Sequence, residues 1–165
     1  MKRPDFLELF AQHRRGAPTI LGPGLAGREL FTIEGDDPTV LYNMDMPYAT
    51  PICLGIAMAS ELPKVVALEG DGSLLAGVPG LGTVGRYQPR NLAVIVLDNE
   101  AYGSFGLGEM ASATSVGVDL ERLGRACGIA STATVRTLRE ADATLACAMR
   151  VNRPSVCSAR LKSPN

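Results

Sequence analysis

The sequence predicts an α/β protein with a doubly wound parallel sheet of about six strands, flanked by helices. Two runs rich in apolar, β-branched residues, 64–69 and 92–97, have the composition of strands that are buried on both faces of a sheet. Each run ends in a polar turn, and the segment between them is long enough for one crossover helix. Strands and helices alternate over the rest of the chain, which favours right-handed connections in one parallel sheet.

The predicted elements follow each other in a regular order, and turns containing glycine, proline or polar residues separate them. In chain order they are a helix over 5–15, a strand over 19–21, a helix over 28–33, a strand over 40–42, a helix over 49–61, a strand over 64–69, a helix over 78–87, a strand over 92–97, a helix over 119–127, a strand over 132–135, a helix over 138–151 and a strand over 154–161. Gly80, Gly82 and Gly85 weaken the helix that contains them, so we expect close packing against another backbone or a ligand there. Residues 103–118 lack a clear period and predict a loop over the site.

The composition excludes several classes of protein. The 165 residues are enough for the core of one domain, predicted to span 1–165, and the formal net charge of −1 argues against a nucleic-acid-binding surface. No apolar run has the length of a membrane span and residues 1–5 do not resemble a signal peptide, so we expect a cytoplasmic protein. The single histidine, His13, excludes a metal site or triad built on several histidines.

The strands over 64–69 and 92–97 place two polar turns at the carboxyl edge of the sheet, where open α/β sheets bind their ligands. Asp71 in the first turn offers a carboxylate, and Asn99 in the second offers a side-chain carbonyl. A main-chain carbonyl near Ala101 could add a third oxygen. Three hard oxygen ligands suit Mg²⁺, which usually completes its octahedron with water and phosphate oxygens.

The first turn also has the features of a phosphate-binding loop. Gly70 and Gly72 allow a backbone tight enough for main-chain amides to approach a phosphate, and Ser73 adds a hydroxyl donor. Together, the two turns predict a clamp for Mg²⁺ and a diphosphate.

These motifs resemble the signature of thiamine-diphosphate-dependent enzymes: a Gly-Asp-Gly-Ser turn, a spacer and an Asn-containing turn. A second match is Met46, which stands where that family has a bulky apolar residue that props the cofactor into a bent form. The resemblance implies the thiamine-diphosphate-binding fold, with the metal held by Asp71, the Asn99 side chain and the Ala101 carbonyl. It implies cofactor contacts from Met46, Gly70, Asp71, Gly72, Ser73, Asn99, Ala101, Tyr102 and Gly103.

Within that family, the sequence is most similar to the sulfopyruvate and phosphonopyruvate decarboxylases. The resemblance implies decarboxylation of a small 2-keto acid with an anionic tail, with thiamine diphosphate and Mg²⁺ as cofactors. The family divides its active site between two domains, and this chain looks like the diphosphate-binding one. We therefore expect the activating Glu on a separate pyrimidine-domain subunit, in a hetero-oligomer such as α₂β₂, and assign no catalytic acid to this chain.

Two other functions stay open. The stretch from Gly22 to Gly27 matches the G-x-G-x-x-G fingerprint, follows a strand, and has Asp45 near the position of a ribose-binding acid. This hypothesis of a nicotinamide-dinucleotide-binding domain leaves the turn at 70–73 and Asn99 unexplained. The third hypothesis is a non-catalytic scaffold subunit of the same fold, which would have no need of both Asp71 and Asn99.

Overall fold

The computed structural model describes residues 1–103 and 110–162, and its centre is a six-stranded sheet in which all strands are parallel. The strands of the protein are β1 (Thr19–Leu21), β2 (Val40–Tyr42), β3 (Val65–Gly70), β4 (Leu92–Asp98), β5 (Ala101–Tyr102), β6 (Met110–Ala111), β7 (Ser131–Val135) and β8 (Ser155–Arg160). The six-stranded sheet has the order β2-β1-β3-β4-β8-β7, while β5 and β6 form a separate antiparallel pair. The prediction of a parallel sheet of about six strands is therefore confirmed.

Helices cover both faces of the sheet. They are α1 (Arg3–Arg14), α2 (Leu25–Glu34), α3 (Ala49–Ala59), α4 (Asp71–Ala76), α5 (Val78–Tyr87), α6 (Leu120–Ala126) and α7 (Leu138–Arg150), and a 3-10 helix spans Ala113–Val116. Because side chains alternate along a strand, Val66 and Leu68 of β3 pack under α1, α2 and α7, whereas Val65 and Ala67 pack under α3, α5 and α6. None of the helices formed by the described residues is both long and apolar enough to cross a bilayer.

The order of the strands reverses between β1 and β3. The chain runs outward from β1 to β2, crosses back to β3, and then runs outward in the opposite direction to β4. At such a reversal the connecting helices leave on opposite faces of the sheet, so a crevice opens at the carboxyl ends of the two strands. The fold therefore places its crevice beside the turns that follow β1, β3 and β4.

Four short elements were not predicted, and one of them is the two-residue strand β5. Helix α4 begins directly after β3, although its first residues, Asp71 and Gly72, are typical of a turn. The predicted loop over 103–118 contains β6 and the 3-10 helix, so that prediction was wrong for this part, and residues 104–109 lie outside the described residues. These elements are only two to six residues long, and hydrophobic periodicity cannot be recognised over such lengths.

The glycines of α5 do not have one common role. A Cβ atom at Gly85 would lie 1.6 Å from the main-chain oxygen of Cys127, so the predicted approach to another backbone is confirmed at this position. At Gly82 a Cβ would meet no atom within 4 Å, and at Gly80 it would make only ordinary contact with Pro51 at 3.9 Å. Close packing within the described residues therefore explains why position 85 has no side chain, but it does not explain Gly80 or Gly82.

Candidate active site

A cleft of about 120 Å³ lies at the carboxyl edge of the sheet, beside the ends of β1, β3 and β4. Every residue that the sequence assigned to the cofactor or the metal lines it: Met46, Gly70, Asp71, Gly72, Ser73, Asn99, Ala101, Tyr102 and Gly103. Residues 22–26, which form the turn after β1 and the start of α2, contribute to the same lining. The fold thus brings the predicted residues together, while their roles in binding stay predictions.

Three oxygen atoms face one another in this cleft. They are Oδ1 of Asp71, the side-chain oxygen of Asn99 and the main-chain oxygen of Ala101, and the Asn99 oxygen lies 3.1 Å from each of the other two. An ionised carboxylate, an amide oxygen and a main-chain oxygen have no proton to share, so a cation is one way to satisfy them. The other way is a 180° rotation of the Asn99 amide, after which its NH₂ group donates to both neighbours at 3.1 Å.

The local backbone explains why these three oxygens converge. Strand β3 ends at Gly70, and Asp71 opens α4 with a side chain that is only 1% exposed. After β4, Glu100 adopts a left-handed conformation with φ of 64°, and its amide donates to Oδ1 of Asp98 at 3.2 Å. This turn directs the side chain of Asn99 and the carbonyl of Ala101 toward Asp71.

The second carboxylate oxygen of Asp71 accepts a hydrogen bond from one hydroxyl group that sequence reasoning missed, and a second hydroxyl group lies close to it. Ser112 donates to Oδ2 of Asp71, and Oγ1 of Thr114 lies 3.0 Å from the same oxygen. Thr114 also lies 2.8 Å from Oδ1 of Asp98 and 2.9 Å from Oγ of Ser112. All four side chains are buried. A serine and a threonine two residues apart are no recognisable motif, so only the fold reveals this network.

Asp98 connects the network to a basic residue. Nη1 of Arg160 lies 3.3 Å from Oδ2 of Asp98 and 2.6 Å from Oε1 of Glu100. Burial raises the pKa of the Asp98 carboxyl, whereas the hydrogen bond from Thr114 and the charge of Arg160 act in the opposite direction. Arg160 therefore offsets two carboxylates that would otherwise add to the negative charge around Asp71.

Glu69 lies buried at the end of β3, and its carboxylate is fully engaged. Its Oε1 accepts hydrogen bonds from the amide of Thr50 at 2.9 Å and from the Thr50 hydroxyl at 3.0 Å. Its Oε2 accepts a bond of 2.5 Å from Ser73. The Ser73 hydroxyl proton is thus directed to Glu69, although the sequence assigned this group to the diphosphate. A Cβ at Gly22 would lie 2.7 Å from Oε2 of Glu69, which explains why this position has no side chain.

Tyr102 and Met46 also line the cleft, although they are far apart in the sequence. The ring of Tyr102 packs directly on Gly72, where a Cβ would lie 2.1 Å from a ring carbon. Met46, in the turn before α3, is 43% exposed and has room to contact a ligand. Sequence reasoning also missed Arg3, which lines the cleft from the start of α1. Its position could not be predicted because the contact between α1 and this edge of the sheet is a tertiary one.

The dinucleotide hypothesis finds little support in the geometry. Residues 22–26 line the same cleft as Asp71 and Asn99. Asp45, the proposed ribose-binding acid, is exposed and is not part of the lining. Nδ2 of the nearby Asn43 donates to the carbonyl of Asp45 at 2.7 Å.

Comparisons with known proteins agree with the motifs. A family model described as "Thiamine pyrophosphate enzyme, C-terminal TPP binding domain" matches residues 37–159; thiamine pyrophosphate is another name for thiamine diphosphate. The chain is 32% identical to the sulfopyruvate decarboxylase subunit beta of Methanocaldococcus jannaschii over 71% of this chain and 60% of the relative. It is also 32% identical to the phosphonopyruvate decarboxylase of Streptomyces viridochromogenes, over 90% of this chain and 36% of the relative.

Comparison with solved structures shows that the fold is also similar to that of known enzymes. An enzyme from Mycobacterium smegmatis, described as thiamin diphosphate-dependent, superposes on 99% of this chain and 32% of its own length with a TM-score of 0.81. The benzoylformate decarboxylase of Polynucleobacter necessarius superposes with a TM-score of 0.73, over 96% of this chain and 33% of its own. The sequence identities are 18% and 22%, so these two likenesses concern the fold alone.

Proposed function

This chain belongs to the thiamine pyrophosphate enzymes through their C-terminal TPP binding domain, and we propose that it is a subunit of a decarboxylase. The proposed substrate is a small 2-keto acid with an anionic tail, similar to sulfopyruvate or phosphonopyruvate. The names of the relatives at 32% identity support this substrate class. This chain spans 60% and 36% of the length of those two relatives. The decarboxylase activity of the whole protein is therefore something that we propose.

The observation that carries the proposal is that the side-chain amide of Asn99 lies 3.1 Å from both the Asp71 carboxylate and the Ala101 carbonyl in the cleft. Oδ1 of Asp71, the side-chain oxygen of Asn99 and the carbonyl of Ala101 fit the hard oxygen ligands that Mg²⁺ requires. They would supply part of the octahedron and leave the other positions to phosphate oxygens and water. The burial of Asp71 supports this assignment, since a buried carboxylate in a dry site gains more from a cation than an exposed one.

The remaining lining residues are suited to a diphosphate and a ring system. The backbone at Gly70 and Gly72 and the turn after β1 would approach the diphosphate, and Met46 would support the rings. When bound, thiamine diphosphate supplies the carbon nucleophile and the electron sink that the decarboxylation of a 2-keto acid requires. The role of this chain is to bind, orient and shield the cofactor.

An acid that activates the pyrimidine is proposed to come from a partner subunit with a pyrimidine domain, in an assembly such as α₂β₂. Glu69 is engaged by Thr50 and Ser73, and Glu100 contacts Arg160, so neither carboxylate is available for this task. Glu109 lies outside the described residues. Relatives of this chain that are named "subunit beta" support the idea of a partner.

Calorimetry with thiamine diphosphate tests the proposed clamp. We expect saturable binding with Mg²⁺, loss of binding when EDTA removes the metal, and a loss of at least about tenfold in Asp71→Ala, because a charged ligand to the metal is removed. Asp36→Ala is the matched control, since Asp36 is exposed and lies outside the cleft. Undiminished binding in Asp71→Ala would refute the metal assignment. Tight binding of NAD by the wild type would instead revive the dinucleotide hypothesis.

A further inference from the structure

The two oxygens of the Asp71 carboxylate have different surroundings. Oδ1 lies 3.1 Å from the side-chain amide of Asn99, whereas Oδ2 accepts a hydrogen bond from Ser112 and lies 3.0 Å from Oγ1 of Thr114. The two hydroxyl residues are 3% and 2% exposed, so water has little access to compete for Oδ2. The carboxylate can thus turn only one free oxygen toward the cleft.

The hydroxyl groups are fixed by the backbone around them. The amide of Ser112 donates to the carbonyl of Glu100 at 2.9 Å, which ties it to the turn that carries Asn99 and Ala101. Thr114 lies in the 3-10 helix, whose last turn is closed by a bond of 3.3 Å from the amide of Gly117 to the carbonyl of Thr114. Rotation of the Asp71 carboxylate would break its contacts with both hydroxyls, so its orientation is held from a neighbouring element.

The number of free carboxylate oxygens matters for the choice of cation. Mg²⁺ demands a near-ideal octahedron with short distances and is bound by one or two carboxylates together with waters and phosphates. Ca²⁺ accepts six to eight oxygens at longer distances, and carboxylates often bind it with both oxygens. A carboxylate with one free oxygen therefore suits Mg²⁺. It cannot bind Ca²⁺ with both of its oxygens.

We propose that Ser112 and Thr114 are positioning residues that make this site prefer Mg²⁺ over Ca²⁺, because they keep Asp71 bound to the cation through Oδ1 alone. The inference rests on the proposed function, in which Asp71 is a metal ligand. It goes further by assigning the preference between two cations to hydroxyl groups that do not touch the cation themselves.

The experiment compares Mg²⁺ and Ca²⁺ affinities, measured by calorimetry at saturating thiamine diphosphate. In the double variant Ser112→Ala and Thr114→Val, we expect Mg²⁺ affinity to fall relative to Ca²⁺ affinity by about tenfold, as for the loss of hydrogen bonds to a charged group. Thr114→Ser keeps a hydroxyl and should retain the wild-type ratio. Ser115→Ala is the matched control, because Oγ of Ser115 donates to the carbonyl of Ser112 and not to Asp71.

The ratio of the two affinities separates positioning from a structural role. If both affinities fall together and the ratio stays constant, the hydroxyls only support the fold and the inference is overturned. The same holds if Ser115→Ala changes the ratio as much as the double variant does. Ser112→Ala alone gives the same comparison should the double variant fail to fold. A wild-type protein that binds neither cation would overturn the proposed function itself, which is a different result.

Discussion

Single residues determine the charge of the cleft, and Arg3 is the one cation among the described residues that line it. Its Nε and Nη2 atoms each lie 2.7 Å from a carboxylate oxygen of Glu29. The hydrogen bonds and the charge of Glu29 raise the pKa of Arg3, so the guanidinium is always protonated. A guanidinium held on one edge by a carboxylate can still donate from its other edge to an anion.

We predict that Arg3→Gln weakens the binding of thiamine diphosphate by about tenfold, since one charged hydrogen bond to the diphosphate is lost. Calorimetry in the presence of Mg²⁺ measures this change. Arg28→Gln is a suitable control, because Arg28 is exposed on the neighbouring helix α2 and does not line the cleft. An equal loss in both variants would mean that only the net charge of the surface matters.

The second prediction at the residue scale concerns Met46. If its side chain props the cofactor, Met46→Leu should be mild because volume is largely conserved, whereas Met46→Gly should lower turnover much more than it weakens cofactor binding. Steady-state rates of the reconstituted enzyme and calorimetric affinities give the two quantities. Wild-type turnover in the Gly variant would show that another residue fills this place.

At the scale of elements, α5 offers a matched pair of glycines. A Cβ at Gly85 would collide with the backbone at Cys127, so Gly85→Ala should destabilise the protein by about 1–3 kcal/mol through overpacking. Gly82 has open space, and Gly82→Ala should be neutral or stabilise by up to about 1 kcal/mol because alanine favours the helix. Urea unfolding measures both changes. Equal effects would contradict the close approach between α5 and residue 127.

The strands could be predicted because their signal lies in the sequence itself. All seven residues of β4 are buried, and the first six form an apolar run whose short length and β-branched residues favour a strand. The residues that line the cleft at strand ends were predictable for the same reason, since their places follow from β3 and β4. Ser112 and Thr114 were not, because they reach Asp71 only through a hairpin of two-residue strands. Arg3 depends on a helix contact that no local pattern encodes.

For the whole molecule, we propose that the chain supplies one half of a shared active site. The cleft gathers the residues that we propose for a cation, a diphosphate and the rings of the cofactor, whereas the carboxylates of Glu69 and Glu100 contact other residues. General acid–base catalysis on the pyrimidine needs a carboxyl group within hydrogen-bond distance of that ring. We therefore predict that this chain binds the cofactor but has no decarboxylase activity of its own.

The most direct test uses one purified sample of this chain for two measurements. Calorimetry first establishes binding of thiamine diphosphate with Mg²⁺, and CO₂ release from sulfopyruvate and phosphonopyruvate is then assayed at saturating cofactor. We expect binding without CO₂ release above the cofactor-only background, and activity once a pyrimidine-domain subunit is added. Full turnover by this chain alone, unchanged by such a subunit, would contradict this expectation.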